Sequence, residues 1–133
     1  MSKTGKKVLI VDDMPTILEK AVEIIGDRYD LETASSGEEA KIKMGDFHPD
    51  IILLDIHLPE GNGITFMEEI HSIPGFQDIP VIFTINDVSV ITKARAYDNG
   101  AADFIKKPFI ANNLFRKIDM HLKLAEIGWH FEL

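Results

Sequence analysis

Two apolar runs that stop abruptly at aspartate set the terms for this chain. Val8-Leu9-Ile10-Val11 runs into Asp12 and Asp13, and Ile51-Ile52-Leu53-Leu54 runs into Asp55. Unbroken apolar runs of this length, rich in β-branched residues, read as central strands of a parallel sheet, buried on both faces. In open α/β sheets the ligand sits beyond the carboxyl ends of the strands, where the winding reverses. Three carboxylates gathered there repel one another, so they need a cation or a proton to coexist. A hard, oxygen-seeking ion such as Mg2+ meets that need. An acidic residue after a strand also serves as an ordinary helix cap. Asp13 fits that role, because it precedes Met14 and Pro15 and proline favours the first helical position. Capping alone does not explain all three aspartates at matching strand ends.

At 133 residues the chain is expected to form one compact domain. Its 45% hydrophobic content is enough for a layered core and argues against disorder. Asp and Glu number 22 against 14 Lys and Arg, a formal net charge of -8, which argues against nucleic acid or an anionic membrane as a direct partner. Without cysteine there are no disulfides, thiolate metal sites or thiol catalysis. Residues 1–7 are a short basic stretch with no 7–15-residue apolar segment behind them, and no run of about 20 apolar residues follows anywhere. The expectation is a cytoplasmic protein with no secretory signal.

Strand and helix patterns alternate five times along the chain. Strand 7–11 leads into a helix with Ile17, Leu18, Ala21, Val22 and Ile25 on one face, ended by Gly26 and Asp27. Strand 29–34 follows, and Ser36-Gly37-Glu38-Glu39 matches the S-x-x-E capping box of a short helix expected to stop at Gly45. Pro49 and Asp50 introduce the strand ending at Asp55, and residues 56–63 read as a loop before a helix carrying Phe66, Met67 and Ile70. Strand 81–84, helix 89–99, strand 103–107 and a final helix with Leu114, Ile118, Leu122 and Ala125 complete the pattern. This alternation predicts an α/β fold: a single doubly wound domain with a five-stranded parallel sheet, five helices and three layers, α/β/α. The domain is placed at residues 6–126 and a tail at 127–133, whose Trp129 and Phe131 either dock or belong to a partner surface.

Two more strand ends extend the acidic trio. The fourth strand finishes in Thr84, a hydroxyl donor, and the fifth in Lys107, a cation followed by Pro108. Either alone is an ordinary residue for its position. Together with the carboxylates they outline a site for a phosphoryl group, whose transfer needs little beyond positioning and charge stabilisation. Asp55, the central carboxylate, is the candidate nucleophile.

At this point the chain closely resembles the receiver domains of two-component response regulators. The resemblance rests on Val11-Asp12-Asp13, Leu54-Asp55-Ile56-His57-Leu58-Pro59, Phe83-Thr84 and Gly100-Ala101-Ala102-Asp103-Phe104-Ile105-Lys106-Lys107-Pro108-Phe109, and it covers nearly the whole chain. It implies a flavodoxin-like strand order of 2-1-3-4-5. It further implies that Asp55 accepts a phosphoryl group from a sensor histidine kinase, a phosphotransfer protein or a small phosphodonor. Asp12, Asp13, Asp55 and the backbone carbonyl of His57 would hold Mg2+. Thr84 and Lys107 would bind phosphoryl oxygens, Phe104 would be the aromatic switch residue, and the Lys107–Pro108 bond would be cis. Such a domain phosphorylates and dephosphorylates itself and is not otherwise an enzyme. Its output is protein contact, through a downstream protein or a fused output domain, with self-association on phosphorylation as a further expectation.

The chain departs from the family pattern at two positions. Bulky Ile85 follows the switch hydroxyl where a small residue is usual, and His57 replaces a commoner apolar residue. Ile85 is expected either at the rim of the site, slowing phosphoryl gain and loss, or turned into apolar packing. His57 could also act as a metal ligand or proton shuttle, whereas His48, His71, His121 and His130 are expected at the surface. Two other classes compete. A flavin-nucleotide binder needs a Ser/Thr/Gly-rich loop where this chain has Asp12 and Asp13. An aspartate-nucleophile phosphatase needs a D-x-D pattern that Asp12-Asp13-Met14 does not supply.

Overall fold

The computed structural model describes residues 4–128. The elements run β1 (Lys7–Val11), α1 (Pro15–Ile25), β2 (Asp30–Ala34), α2 (Gly37–Phe47), β3 (Ile51–Asp55), β4 (His57–Leu58), β5 (Gly61–Asn62), α3 (Gly63–His71), β6 (Val81–Ile85), α4 (Val90–Asp98), β7 (Asp103–Lys106) and α5 (Ala111–Glu126). One sheet holds five strands in the order β2-β1-β3-β6-β7, and every neighbouring pair is parallel. Counting only those strands, the order is the expected 2-1-3-4-5. The segment read as a loop contains a small antiparallel pair, β4 with β5, in which His57 faces Asn62.

The two core layers follow from the alternation of side chains along each strand. Leu9, Val11, Ile52, Leu54, Val81 and Phe83 pack with Ala40 and Met44 of α2, Ile64, Met67 and Ile70 of α3 and Ala96 of α4. Val8, Ile10, Ile51, Leu53, Ile82 and Ile105 pack on the other face with Ala21 and Ile25 of α1 and Leu114, Ile118 and Leu122 of α5. Strands buried on both faces explain why the sequence shows continuous apolar runs instead of alternation.

Helix starts carry side-chain caps where the sequence supplies them. The Ser36 hydroxyl accepts from the Glu39 N–H at 3.1 Å, while the Glu39 carboxylate accepts from the Ser35 N–H, one residue upstream of the usual reciprocal partner. Asn62 and Ser89 cap α3 and α4 in the same manner. Pro15 opens α1, whose flanking Met14 N–H is held by Asp12 Oδ1 at 3.0 Å, so Asp13 is not the cap.

Several sequence expectations shift. Helix α2 passes through Gly45 and ends at Phe47, with His48 in the left-handed conformation (φ 51°) before Pro49. Gly45 is exposed and touches nothing, so only its weak helix propensity opposed continuation. Val22 and Ala125 are exposed, because the buried stripes are narrow and consist of Ala21 and Ile25 in α1 and of Leu114, Ile118, His121 and Leu122 in α5. His121 is buried, at 4% exposure, because Asp103 accepts a hydrogen bond from its Nε2 at 3.0 Å. His71 is half-buried and donates from Nε2 to the Ile79 carbonyl at 2.9 Å. Trp129, His130 and Phe131 lie outside the described residues.

Candidate functional site

Strand alternation builds the site as well as the core. Asp12 continues the face of Val8 and Ile10, Asp55 that of Ile51 and Leu53, Thr84 that of Ile82, and Lys107 that of Ile105. All four therefore extend the layer packed on α1 and α5, past the carboxyl ends of adjacent strands. The register aligns them, with Val11 opposite Leu54 and Asp55 opposite Thr84. Ile85 and Phe104 have the opposite parity and turn into the other layer.

At the centre, Lys107 Nζ donates to Asp12 Oδ2 at 2.9 Å and lies 3.5 Å from Asp55 Oδ1. Asp12, Asp55 and Lys107 are buried, whereas Asp13 is exposed at the mouth. Carboxylate oxygens of Asp12, Asp13 and Asp55 lie within 4.8 Å of one another, the one group of metal-capable side chains among the described residues. An all-oxygen donor set with one exposed member suits a hard divalent ion that keeps some of its water. The His57 side chain is exposed and is not part of this group, but its N–H donates to Asp55 Oδ1 at 3.1 Å. Burial pushes the Asp55 carboxyl above its usual range. The His57 N–H and the Lys107 ammonium oppose that rise, and the neighbouring Asp12 charge adds to it.

Thr84 is fully buried, and its hydroxyl lacks a hydrogen-bond partner. A buried hydroxyl left unpaired costs free energy, so an acceptor arriving at the site has a donor waiting. Lys107 is held by its N–H to the Ile85 carbonyl at 2.7 Å, one residue beyond the end of β7, and its bond to Pro108 is cis. Lys106 points away and pairs with Asp87 at 3.8 Å in solvent.

Phe104 is already packed inward at 7% exposure, stacked on Phe83 at 5.9 Å and edge-on to Tyr97 at 5.0 Å. The sequence reading did not single out Tyr97, because its contact crosses from α4 to β7. Ile85 is 5% exposed and sits in the α2/α3/α4-side layer, which is the apolar-packing alternative rather than the rim. The alternation along β6 requires this, since Val81, Phe83 and Ile85 share one face.

Gly63 is a positioning residue that sequence reasoning missed. A Cβ there would meet the Asp55 carbonyl at 2.8 Å and the Ile56 backbone at 2.9 Å, while the Gly63 N–H donates to the Ile56 carbonyl at 3.0 Å. Its signal was the glycine directly preceding the apolar stripe of α3. Glu60 reaches across from the same loop and accepts from the Gly37 N–H at 2.9 Å, tying the loop to the start of α2.

Comparison with known proteins agrees with this geometry. The family model described as "Response regulator receiver domain" matches residues 8–119. The chain is 32% identical over 123 residues to the transcriptional regulatory protein KdpE of Staphylococcus aureus, covering 90% of this chain and 51% of that protein. It thus spans about half the length of the curated relatives it matches. A CheY-like response regulator receiver domain protein from Methanospirillum hungatei superposes with a TM-score of 0.85 at 27% identity, covering 94% of this chain and 99% of that one. The chemotaxis protein CheY4 of Vibrio cholerae gives a TM-score of 0.83 at 26% identity, with 88% and 98% covered. With the fold, the strand-end carboxylates and the family match in agreement, the chain belongs to the response regulator receiver domain family of two-component systems.

Proposed function

We propose that Asp55 is the phosphoacceptor of this receiver domain and that its modification depends on Mg2+ held by Asp12, Asp13, Asp55 and the His57 carbonyl. The observation that supports this best is the convergence on Asp55 of two further carboxylates, the Lys107 ammonium and the unpartnered Thr84 hydroxyl. A carboxylate oxygen of Asp55 attacks the phosphorus of a phosphohistidine or an acyl phosphate. The bond from phosphorus to the donor's nitrogen or oxygen breaks, the leaving group takes those electrons, and an aspartyl phosphate forms. Mg2+ held by these carboxylates would supply positive charge to the phosphoryl oxygens. Lys107 supports the same charge from the buried side, and Thr84 donates its hydrogen bond once an acceptor oxygen is present.

The donor is a sensor histidine kinase or a phosphotransfer protein, and the recipient of the signal is a downstream protein or an attached output domain. The face carrying the signal is formed by α4, β7 and α5, where Phe104 and Tyr97 meet. Because Phe104 is already inward, the signal is carried by the approach of Thr84 to the phosphoryl group and not by recruitment of the ring. Self-association through that face is part of the proposal, and turnover of external phosphomonoesters is not.

Incubation with acetyl phosphate and Mg2+, read by intact-mass spectrometry, tests this reading. One phosphoryl group per chain is expected. Steady phosphate release from an external monoester without an adduct would instead indicate a phosphatase.

A further inference from the structure

The backbone that carries His57 past the carboxylate cluster is a hairpin of β4 and β5, two residues each, joined by Pro59 and Glu60. His57 faces Asn62 and Leu58 faces Gly61. A two-stranded ribbon is marginally stable at best in water, so one this short keeps its shape only where the rest of the protein holds it. Its base is fixed twice. The His57 N–H donates to Asp55 Oδ1 at 3.1 Å, and the Gly63 N–H donates to the Ile56 carbonyl at 3.0 Å. Leu58, 6% exposed, pins the middle into the core layer of α2 and α3. Among the described residues the tip makes one hydrogen bond to the rest of the protein. Glu60 Oε1 accepts from the Gly37 N–H at 2.9 Å, 23 residues away in sequence.

The far end of that bond is a firm anchor for a carboxylate. Gly37 is the first residue of α2, whose opening N–H groups have no partner inside the helix, and the positive end of the helix dipole favours an anion there. Ser36 serves the N–H of Glu39, which leaves that of Gly37 to Glu60. Gly37 is buried, and a Cβ on it would meet the Phe66 ring of α3 at 3.0 Å, so the start of α2 is seated directly against α3. Glu60 forms no ion pair with a lysine or arginine among the described residues, and its carboxylate is not one of the three that cluster as metal-capable groups.

We infer that Glu60 is a positioning residue for the metal site: by fastening the hairpin tip to α2, it holds the His57 carbonyl ready beside the carboxylates of Asp12, Asp13 and Asp55. This role rests on the reading in which that carbonyl is a ligand of Mg2+. The ion demands near-ideal octahedral geometry, so a ligand whose backbone must first be ordered lowers its affinity. Glu60 acts through the hairpin and not by touching the ion.

Two substitutions separate the tether from the charge. Glu60→Gln keeps a carbonyl oxygen that accepts from the Gly37 N–H but removes the charge, whereas Glu60→Ala removes both. Glu60 is exposed, so both variants should stay native by circular dichroism. Calorimetric titration of the 133-residue chain with Mg2+ should show binding several-fold weaker in Glu60→Ala than in the parent. Glu60→Gln should stay within about twofold of the parent, because the tether is kept. Without metal, amide exchange across residues 57–62 should quicken in Glu60→Ala and not in Glu60→Gln. Parent-like affinity in Glu60→Ala overturns the positioning role and leaves the metal reading standing. Equal weakening in both variants also overturns it, because the effect then belongs to charge. A parent that binds no Mg2+ overturns the metal reading, and the positioning role with it.

Discussion

The ammonium of Lys107 lies 2.9 Å from Asp12 Oδ2, and the two side chains are only 5% and 1% exposed. A pair sealed in this way is costly to break from one side, because the remaining charge is stranded in a poor solvent. Lys107→Ala should therefore cost about 3–5 kcal/mol when no divalent ion is present. It should also bind Mg2+ several-fold more tightly than the parent, since a competing positive charge has left the acidic trio. Urea unfolding with and without Mg2+, combined with calorimetric titration, checks both. Equal stabilisation of parent and variant by the ion would count against a shared site.

Asp13 separates metal binding from folding. It is exposed and makes no hydrogen bond to cap α1, so Asp13→Ala should change stability by no more than about 0.5 kcal/mol. The same change should remove Mg2+ binding and phosphoryl labelling together. Labelling of this variant at the parent's rate, with the dependence on Mg2+ intact, would show that Asp13 is not a ligand.

Ile85 lies in the α2/α3/α4-side layer, so its truncation is a core mutation. Ile85→Ala should cost about 2–5 kcal/mol, the range for removing a buried aliphatic side chain. Labelling by acetyl phosphate should stay within about twofold of the parent, because the side chain faces away from the Asp55 layer and does not obstruct in-line approach. A several-fold faster gain and loss of phosphate would restore Ile85 as a gate.

Asp103 provides a pH-dependent contribution to stability. Burial alone would raise its pKa, but hydrogen bonds from His121, the Phe104 N–H and Lys117 overcome this and hold the carboxyl down at about 2. The unfolded value is about 3.9, so the fold favours the ionised form. That contribution is fully present above the unfolded value and is lost as pH falls towards the folded one. Asp103→Asn should therefore destabilise most at pH 5 and above, with the gap to the parent narrowing from pH 4 towards pH 2. A gap independent of pH over that interval would remove Asp103 from the account.

The parts of this molecule that were legible in the sequence are those fixed by local pattern. The continuous runs ending at Asp12 and Asp55 specify buried parallel strands, and strand parity then places Asp12, Asp55, Thr84 and Lys107 on one face. The same parity, carried along β6, turns Ile85 away from Thr84. What stayed hidden depends on contacts distant in sequence. His121 is buried because Asp103, 18 residues earlier, accepts its hydrogen bond. Tyr97 matters because α4 carries it onto Phe104. Gly63 matters because the chain doubles back onto the Asp55 carbonyl through β4 and β5, each of two residues and too short for any periodicity to reveal.

The central claim is that Asp55 is the residue that receives the phosphoryl group. Asp55→Asn keeps nearly the same shape, and burial disfavours the charge of the native carboxylate, so the variant should fold at least as well as the parent. After incubation with acetyl phosphate and Mg2+, intact-mass spectrometry and peptide mapping should find one phosphoryl group on Asp55 of the parent and none on the variant. A full adduct on folded Asp55→Asn, or a parent adduct mapped to another residue, would contradict the account.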